Sequence, residues 1–173
     1  MTILVCPLSQ VTHMIATYAP ERIVSLLDPG MSFPETGSAY DGRHLRLSFH
    51  DAHISKMGFL APTSQHVNEL LAFLANWTRQ VPILIHCRAG IGRSTATAFI
   101  TACLHNPQAD ELEIAKTLRR ISPSARPNMA LIALADAALQ RNGRMIRAID
   151  QTGENLPWLT VSESIPFELP SKF

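Results

Sequence analysis

The stretch from Val81 to Ser94, VPILIHCRAGIGRS, constrains this chain more than any other. Its first six residues are an apolar run of the kind that fully buried parallel strands produce. The run enters a loop holding Gly90 and Gly92, and the loop leads directly into a helical pattern at about Gly92–His105. A helix start leaves backbone N–H groups unpaired at the positive end of the macrodipole, so such a junction is suited to hold an anion. Gly90 and Gly92 allow the backbone to curl with its amides inward, as an anion nest. Cys87 stands at the floor of that nest, where amides and neighbouring cations favour a thiolate. Arg93 closes the ring with a fork that matches two oxygens of a phosphate. Displacement at phosphorus needs these parts: an attacking thiolate, amides for the equatorial oxygens, and a cation for the charge that builds up.

The remaining pattern places this junction in an α/β fold. Strands are expected at Ile3–Cys6, Arg22–Leu27 and His44–Phe49, in addition to Val81–His86. Ser9 is placed to cap a helix over Gln10–Tyr18. Pro62-Thr63-Ser64 opens a long helix to about Arg79, with Val67, Leu70, Leu71, Phe73 and Leu74 as its apolar stripe. Helices alone follow, at about Gly92–His105, Asp110–Ser122, Pro127–Asn142 and Gly143–Gln151. Strands interleaved with helices, then helices alone, imply a mainly parallel central sheet of about four to five strands flanked by helices. A length of 173 residues gives one domain, expected over residues 1–153, with residues 154–173 as an extended C-terminal tail. That tail carries Trp158, Phe167 and Phe173 as apolar anchors.

The string His86-Cys87-Arg88-Ala89-Gly90-Ile91-Gly92-Arg93-Ser94 resembles the signature of the protein tyrosine phosphatase superfamily, His-Cys-x5-Arg-Ser/Thr. The resemblance runs from roughly Arg22 to Asn142 and points to a compact, dual-specificity-like or bacterial-type member with a phosphatase-like fold. It implies that Cys87 is the nucleophile of a cysteinyl-phosphate intermediate and Arg93 the phosphate-binding arginine. The loop from Arg88 to Arg93 would bind the phosphate, and Ser94 would support the thiolate and the breakdown of the intermediate. His86 would orient the loop. The general acid implied is Asp51, which follows the third strand at the position compact members use. Asp28, in Asp28-Pro29-Gly30, and Asp41, in Asp41-Gly42, are alternatives that turn chemistry also accounts for. Asn128, in Arg126-Pro127-Asn128, either braces the loop or, with Pro127 at the first helical position, simply starts a helix.

Composition narrows the substrate. With 15 basic and 14 acidic residues the net charge is +1, which disfavours nucleic acid and offers no basic membrane-surface segment. Within the signature only Arg88 is charged between Cys87 and Arg93, which disfavours a highly charged inositol phosphate. The expected substrate is a phosphorylated protein or peptide, with phosphate, sulfate or vanadate as active-site anions. Phosphatases of non-protein phosphoesters and non-catalytic phosphate-binding modules remain as alternatives. No cofactor and no metal are implied, because the loop supplies the positive charge that other phosphatases take from metals. His50 and His53 flank Asp51 and are expected to be solvated loop residues. Three cysteines without a CxxC pair indicate neither a disulfide framework nor a zinc site. An arsenate reductase would need resolving cysteines. Cys103 lies too far along the signature helix; Cys6 is expected to be a buried strand residue, with a reversible disulfide to Cys87 as the alternative. The first seven residues carry no basic region followed by a long apolar run, so the expected location is cytoplasmic. Oligomeric state is not legible.

Overall fold

The computed structural model describes residues 1–52, 54, 55, 57–153 and 161–173. Four parallel strands form the sheet: β1 (Thr2–Pro7), β2 (Arg22–Leu27), β3 (His44–Ser48) and β4 (Ile83–Cys87). A fifth strand, β5 (Phe167–Pro170), pairs antiparallel with β1, so the order is β3-β2-β4-β1-β5. The four helix-forming stretches after the signature strand become α3 (Arg93–His105), α4 (Glu111–Ile121), α5 (Met129–Ala138) and α6 (Arg144–Gln151). Before them come α1 (Val11–Tyr18) and α2 (Ser64–Ala75). This is the mainly parallel α/β architecture the sequence implies, with its last strand drawn from the segment expected as an extended tail.

Strand alternation explains how the layers divide. Ile3, Val5, Val24, Leu26, Ile83, Ile85 and Cys87 point into the large core beneath α2 to α6. Leu4, Cys6, Ile23 and Leu84 point the other way, onto Val11 and Met14 of α1. Helix α3 packs on β4 and β1 at the centre of the large layer, and Arg93 through Cys103 are all buried. Its Ser-Thr-Ala-Thr-Ala sequence carries little bulk, which lets neighbours close on every side.

Several boundaries differ from the sequence expectations, each for a local reason. A 3-10 turn over Leu8–Gln10 precedes α1, so Ser9 does not cap the helix; its hydroxyl donates to Glu163 instead. Helix α2 ends at Ala75 rather than Arg79, because the Asn76 side chain turns back onto the Ala72 carbonyl and Arg79 takes a left-handed φ of 60°. Helix α5 ends early because Gln140 and Asn142 adopt left-handed conformations. At its start the N-cap is Asn128, whose side chain accepts from Leu131 N, and Pro127 lies outside the helix.

The C-terminal edges of β2 and β4, the start of α3 and the loop after β3 meet at one end of the sheet. Ligands of open parallel sheets bind at that end.

Candidate active site

Residues Cys87 to Gly92 form a tight loop between β4 and α3 whose carbonyls are drawn outward by donors from distant parts of the chain. Leu8 N donates to Arg88 O, Ser164 N to Ala89 O at 2.8 Å, Arg126 N to Ile91 O at 2.9 Å and Asn128 N to Gly92 O. The Thr95 hydroxyl also reaches the Ile91 and Gly92 carbonyls. Carbonyls held outward leave the loop amides to face inward. Gly90 N lies 3.2 Å from Cys87 Sγ, and Ser94 Oγ lies 3.1 Å from the same sulfur. Gly90 has a φ of +75°, and a Cβ there would stand 2.2 Å from Ser164 Oγ and 2.9 Å from Pro7 N. Only glycine meets both demands.

A cavity of about 310 Å³ opens over this loop, with Asp28, His50, Asp51 and Phe59 on its walls. Arg93 is buried, and its NH1 is shared by Asp28 Oδ1 at 2.9 Å and Phe49 O at 2.6 Å. Arg93 Nε has no partner among the described residues. The guanidinium is thus anchored through one corner, with an unpaired donor beside the loop. Asp28 does form the turn its sequence suggests, Met31 N donating to its carbonyl, but its side chain belongs to the site. Sequence reasoning missed that role, since the pair joins residues that local pattern cannot connect.

Asp51 is exposed at the rim and held by Asn128, whose Nδ2 donates to Oδ1 at 2.7 Å. The other carboxylate oxygen lies over Gly92, so close that a Cβ there would stand 1.9 Å from it. Asn128 therefore acts three times: it caps α5, bonds the loop at Gly92 O and holds Asp51. Asp41 sits in the turn around Tyr40–Arg43 and does not line the cavity. His50 accepts from Leu60 N at 2.9 Å, and its ring tilts against Phe59 with centroids 5.0 Å apart. His53 lies outside the described residues, as do residues 154–160 with Trp158. Among the described residues, no group of three His, Cys, Asp or Glu is placed to hold a metal.

His86 is buried on the opposite face of β4 from Cys87. Burial, with the Arg93 charge acting in the same direction, pushes its pKa down to about 4, although the Cys87 backbone opposes the shift. Cys6 stands beside His86 in the register of β1 and β4, on the α1 face, while Cys87 faces the helical layer. Burial, and a smaller contribution from Cys87, push the Cys6 thiol up to about 12. Cys103 is buried on α3, where desolvation also raises its thiol. Neither is placed as a resolving thiol.

A sulfur set among inward amides, beside an anchored arginine, at the C-terminal edge of a parallel sheet, defines a class of phosphoester hydrolases that work through cysteine. The family model described as Protein-tyrosine phosphatase matches residues 56–131. The fold is similar to that of PTPMT1 in complex with PI(5)P, with a TM-score of 0.59, 12% identity, and coverage of 88% of this chain and 95% of that one. It is also similar to Cydia pomonella PTP-2 phosphatase, at a TM-score of 0.55, 18% identity and coverage of 77% and 83%. For DUSP15 the TM-score is 0.56, with 16% identity and coverage of 88% and 91%. No curated protein sequence matches. Residues 56–131, which hold the loop, are thus similar to protein tyrosine phosphatases, and the chain shares the fold of these phosphatases, which supports cysteine-based hydrolysis of phosphoesters.

Proposed function

We propose that this chain hydrolyses phosphotyrosine, and also phosphoserine and phosphothreonine, in proteins through a cysteinyl-phosphate intermediate. The Cys87 thiolate attacks phosphorus, an S–P bond forms and the ester P–O bond breaks. The inward amides of Arg88 to Arg93 and the Arg93 guanidinium hold the three equatorial oxygens. Asp51 gives its proton to the leaving oxygen, then takes one from the water that attacks the thiophosphate. Phosphate departs and the thiolate is restored. Ser94 donates to the sulfur as it becomes the leaving group, and Asp28 keeps Arg93 aimed. No metal takes part in this scheme, because the amides and Arg93 carry the charge.

The observation that carries the reading is the set of outward-held carbonyls around a sulfur bonded by Gly90 N and Ser94 Oγ. Protein substrates are favoured by the sparse charge of the signature and by Phe59 and His50, which offer ring surface beside the cavity. A phosphoinositide is the second reading, favoured by the likeness to PTPMT1 solved with PI(5)P. No described helix is long and apolar enough to cross a membrane, and the proposed setting is the cytoplasm.

Comparing kcat/KM for matched phosphotyrosine and phosphothreonine peptides and a short-chain, soluble phosphatidylinositol phosphate tests the substrate class. Higher values for the peptides support the protein reading. A preference for the lipid by an order of magnitude or more overturns it.

A further inference from the structure

The residue before Asp51 ties the acid to the far end of its own loop. His50 lies just beyond β3; its N–H donates to Leu60 O at 2.8 Å, and its Nδ1 accepts from Leu60 N at 2.9 Å. One residue thus meets both backbone polar groups of Leu60 and closes the neck of the segment between them. Asp51 stands at one end of that segment and Phe59 at the other, with the His50 ring against Phe59. All three line the cavity. Further bonds brace the neck on either side. Ala52 N donates back to His50 O at 2.9 Å, and Ser55 Oγ accepts from Ala61 N at 3.0 Å. Phe49 N donates to Leu27 O at the end of β2, and Phe49 O accepts from Arg93.

Accepting at Nδ1 requires a lone pair there, so the neutral ring carries its proton on Nε2. Leu60 is exposed, and water would satisfy its N–H without the ring. What the ring adds is therefore position. The Asp51 side chain has one bond, from Asn128 to Oδ1, and one bond leaves the carboxylate able to pivot about it. Anchoring the backbone next to Asp51 removes that freedom. A group that must deliver a proton within a short reach gains directly from such restraint.

We propose that His50 is a positioning residue for the general acid, its Nδ1 clasp on Leu60 setting where the Asp51 carboxylate stands over Gly92. The proposal rests on the reading of Asp51 as the acid.

The experiment compares kcat/KM, which covers the steps through P–O cleavage, for phenyl phosphate and p-nitrophenyl phosphate. These esters are close in shape, but p-nitrophenolate leaves with far less need of a proton. His50→Leu removes both nitrogens, His50→Asn puts an amide oxygen near the place of Nδ1, and His50→Gln puts its amide near the place of Nε2. His50→Leu and His50→Gln are expected to lower the value for phenyl phosphate about two- to tenfold further than that for p-nitrophenyl phosphate, the range one hydrogen bond supplies. His50→Asn keeps the wild-type ratio of the two. Asp51→Asn, run alongside, shifts the ratio in the same direction and further. An equal loss on both esters, or no loss, in folded His50→Leu would overturn the proposal while the Asp51→Asn result keeps the acid in place. A ratio restored by Gln and not by Asn would assign the role to Nε2 and overturn it as well. If His50→Leu does not fold, the contrast of His50→Gln with His50→Asn decides. A ratio unmoved by Asp51→Asn, or a chain that hydrolyses neither ester, removes the reading of Asp51 and the proposal with it.

Discussion

Asp51 and Gly92 make one unit, and two substitutions separate its chemistry from its packing. Asp51→Asn removes the transferable proton and is expected to lower kcat by around 10²–10⁴-fold on an alkyl phosphoester. A loss below threefold in steady-state assays would move the acid elsewhere. Gly92→Ala places a methyl where the carboxylate now lies. Asp51 is exposed and can move aside by giving up its bond to Asn128, so the variant should lose little thermal stability while its kcat falls toward that of Asp51→Asn. Gly90→Ala is the opposite case. The added carbon meets the Pro7 backbone and a buried serine at a positive φ, and the strain falls on the fold. Its denaturation midpoint should drop by the equivalent of about 1–3 kcal/mol.

At the scale of elements, what the sequence made legible was whatever is local. The strand-to-helix run from Ile83 to His105 carries its own periodicity, its glycines and its reactive residues within one window. The loop was therefore readable before any fold was known. The contacts that hold the loop were not readable, because each comes from far along the chain. Asp28 pairs with Arg93, Arg126 N supports Ile91 O, and Ser164 N supports Ala89 O from a segment whose sequence suggests only a tail. No periodicity links such residues; only the assembled fold brings their loops together. The same holds for Ser25, which looks like an ordinary polar residue in a buried strand until His86 and His44 flank it. The brace from the C-terminal segment is testable directly. Removing residues 161–173 uncovers the β1 edge, loses the burial of Phe167 and Leu169, and frees Ala89 O. Chemical denaturation should show a loss of about 3 kcal/mol or more, with weaker inhibition by phosphate in whatever fraction stays folded. Unchanged stability would mean that β5 adds nothing to the sheet.

For the whole molecule, buried histidines link stability to pH. His44 and His86 stay neutral in the fold down to about pH 4, and burial lowers His105 as well. In the unfolded chain an ordinary imidazole takes up its proton near pH 6.5. The unfolded state therefore binds more protons between these values. The stabilisation is complete above about pH 6.5 and is lost progressively as the pH falls toward 4. Melting temperatures should decline from pH 7 to 5, before most carboxylates titrate, and His44→Phe should flatten that decline. A flat wild-type profile over this interval would contradict the burial of these rings. The near-zero net charge adds a second expectation at this scale, because attraction of an anion depends on the loop and not on a global field.

The central claim is that the loop at the end of β4 turns a cysteine into a phosphoester-cleaving group without a metal. Phosphate release from a phosphotyrosine peptide in EDTA, by the wild-type chain and by Cys87→Ser, tests it most directly. The account predicts steady turnover by the wild type, blocked by vanadate, and none by Cys87→Ser with its fold intact. Turnover that survives the loss of the Cys87 sulfur, or that disappears from the wild type in EDTA, would contradict it.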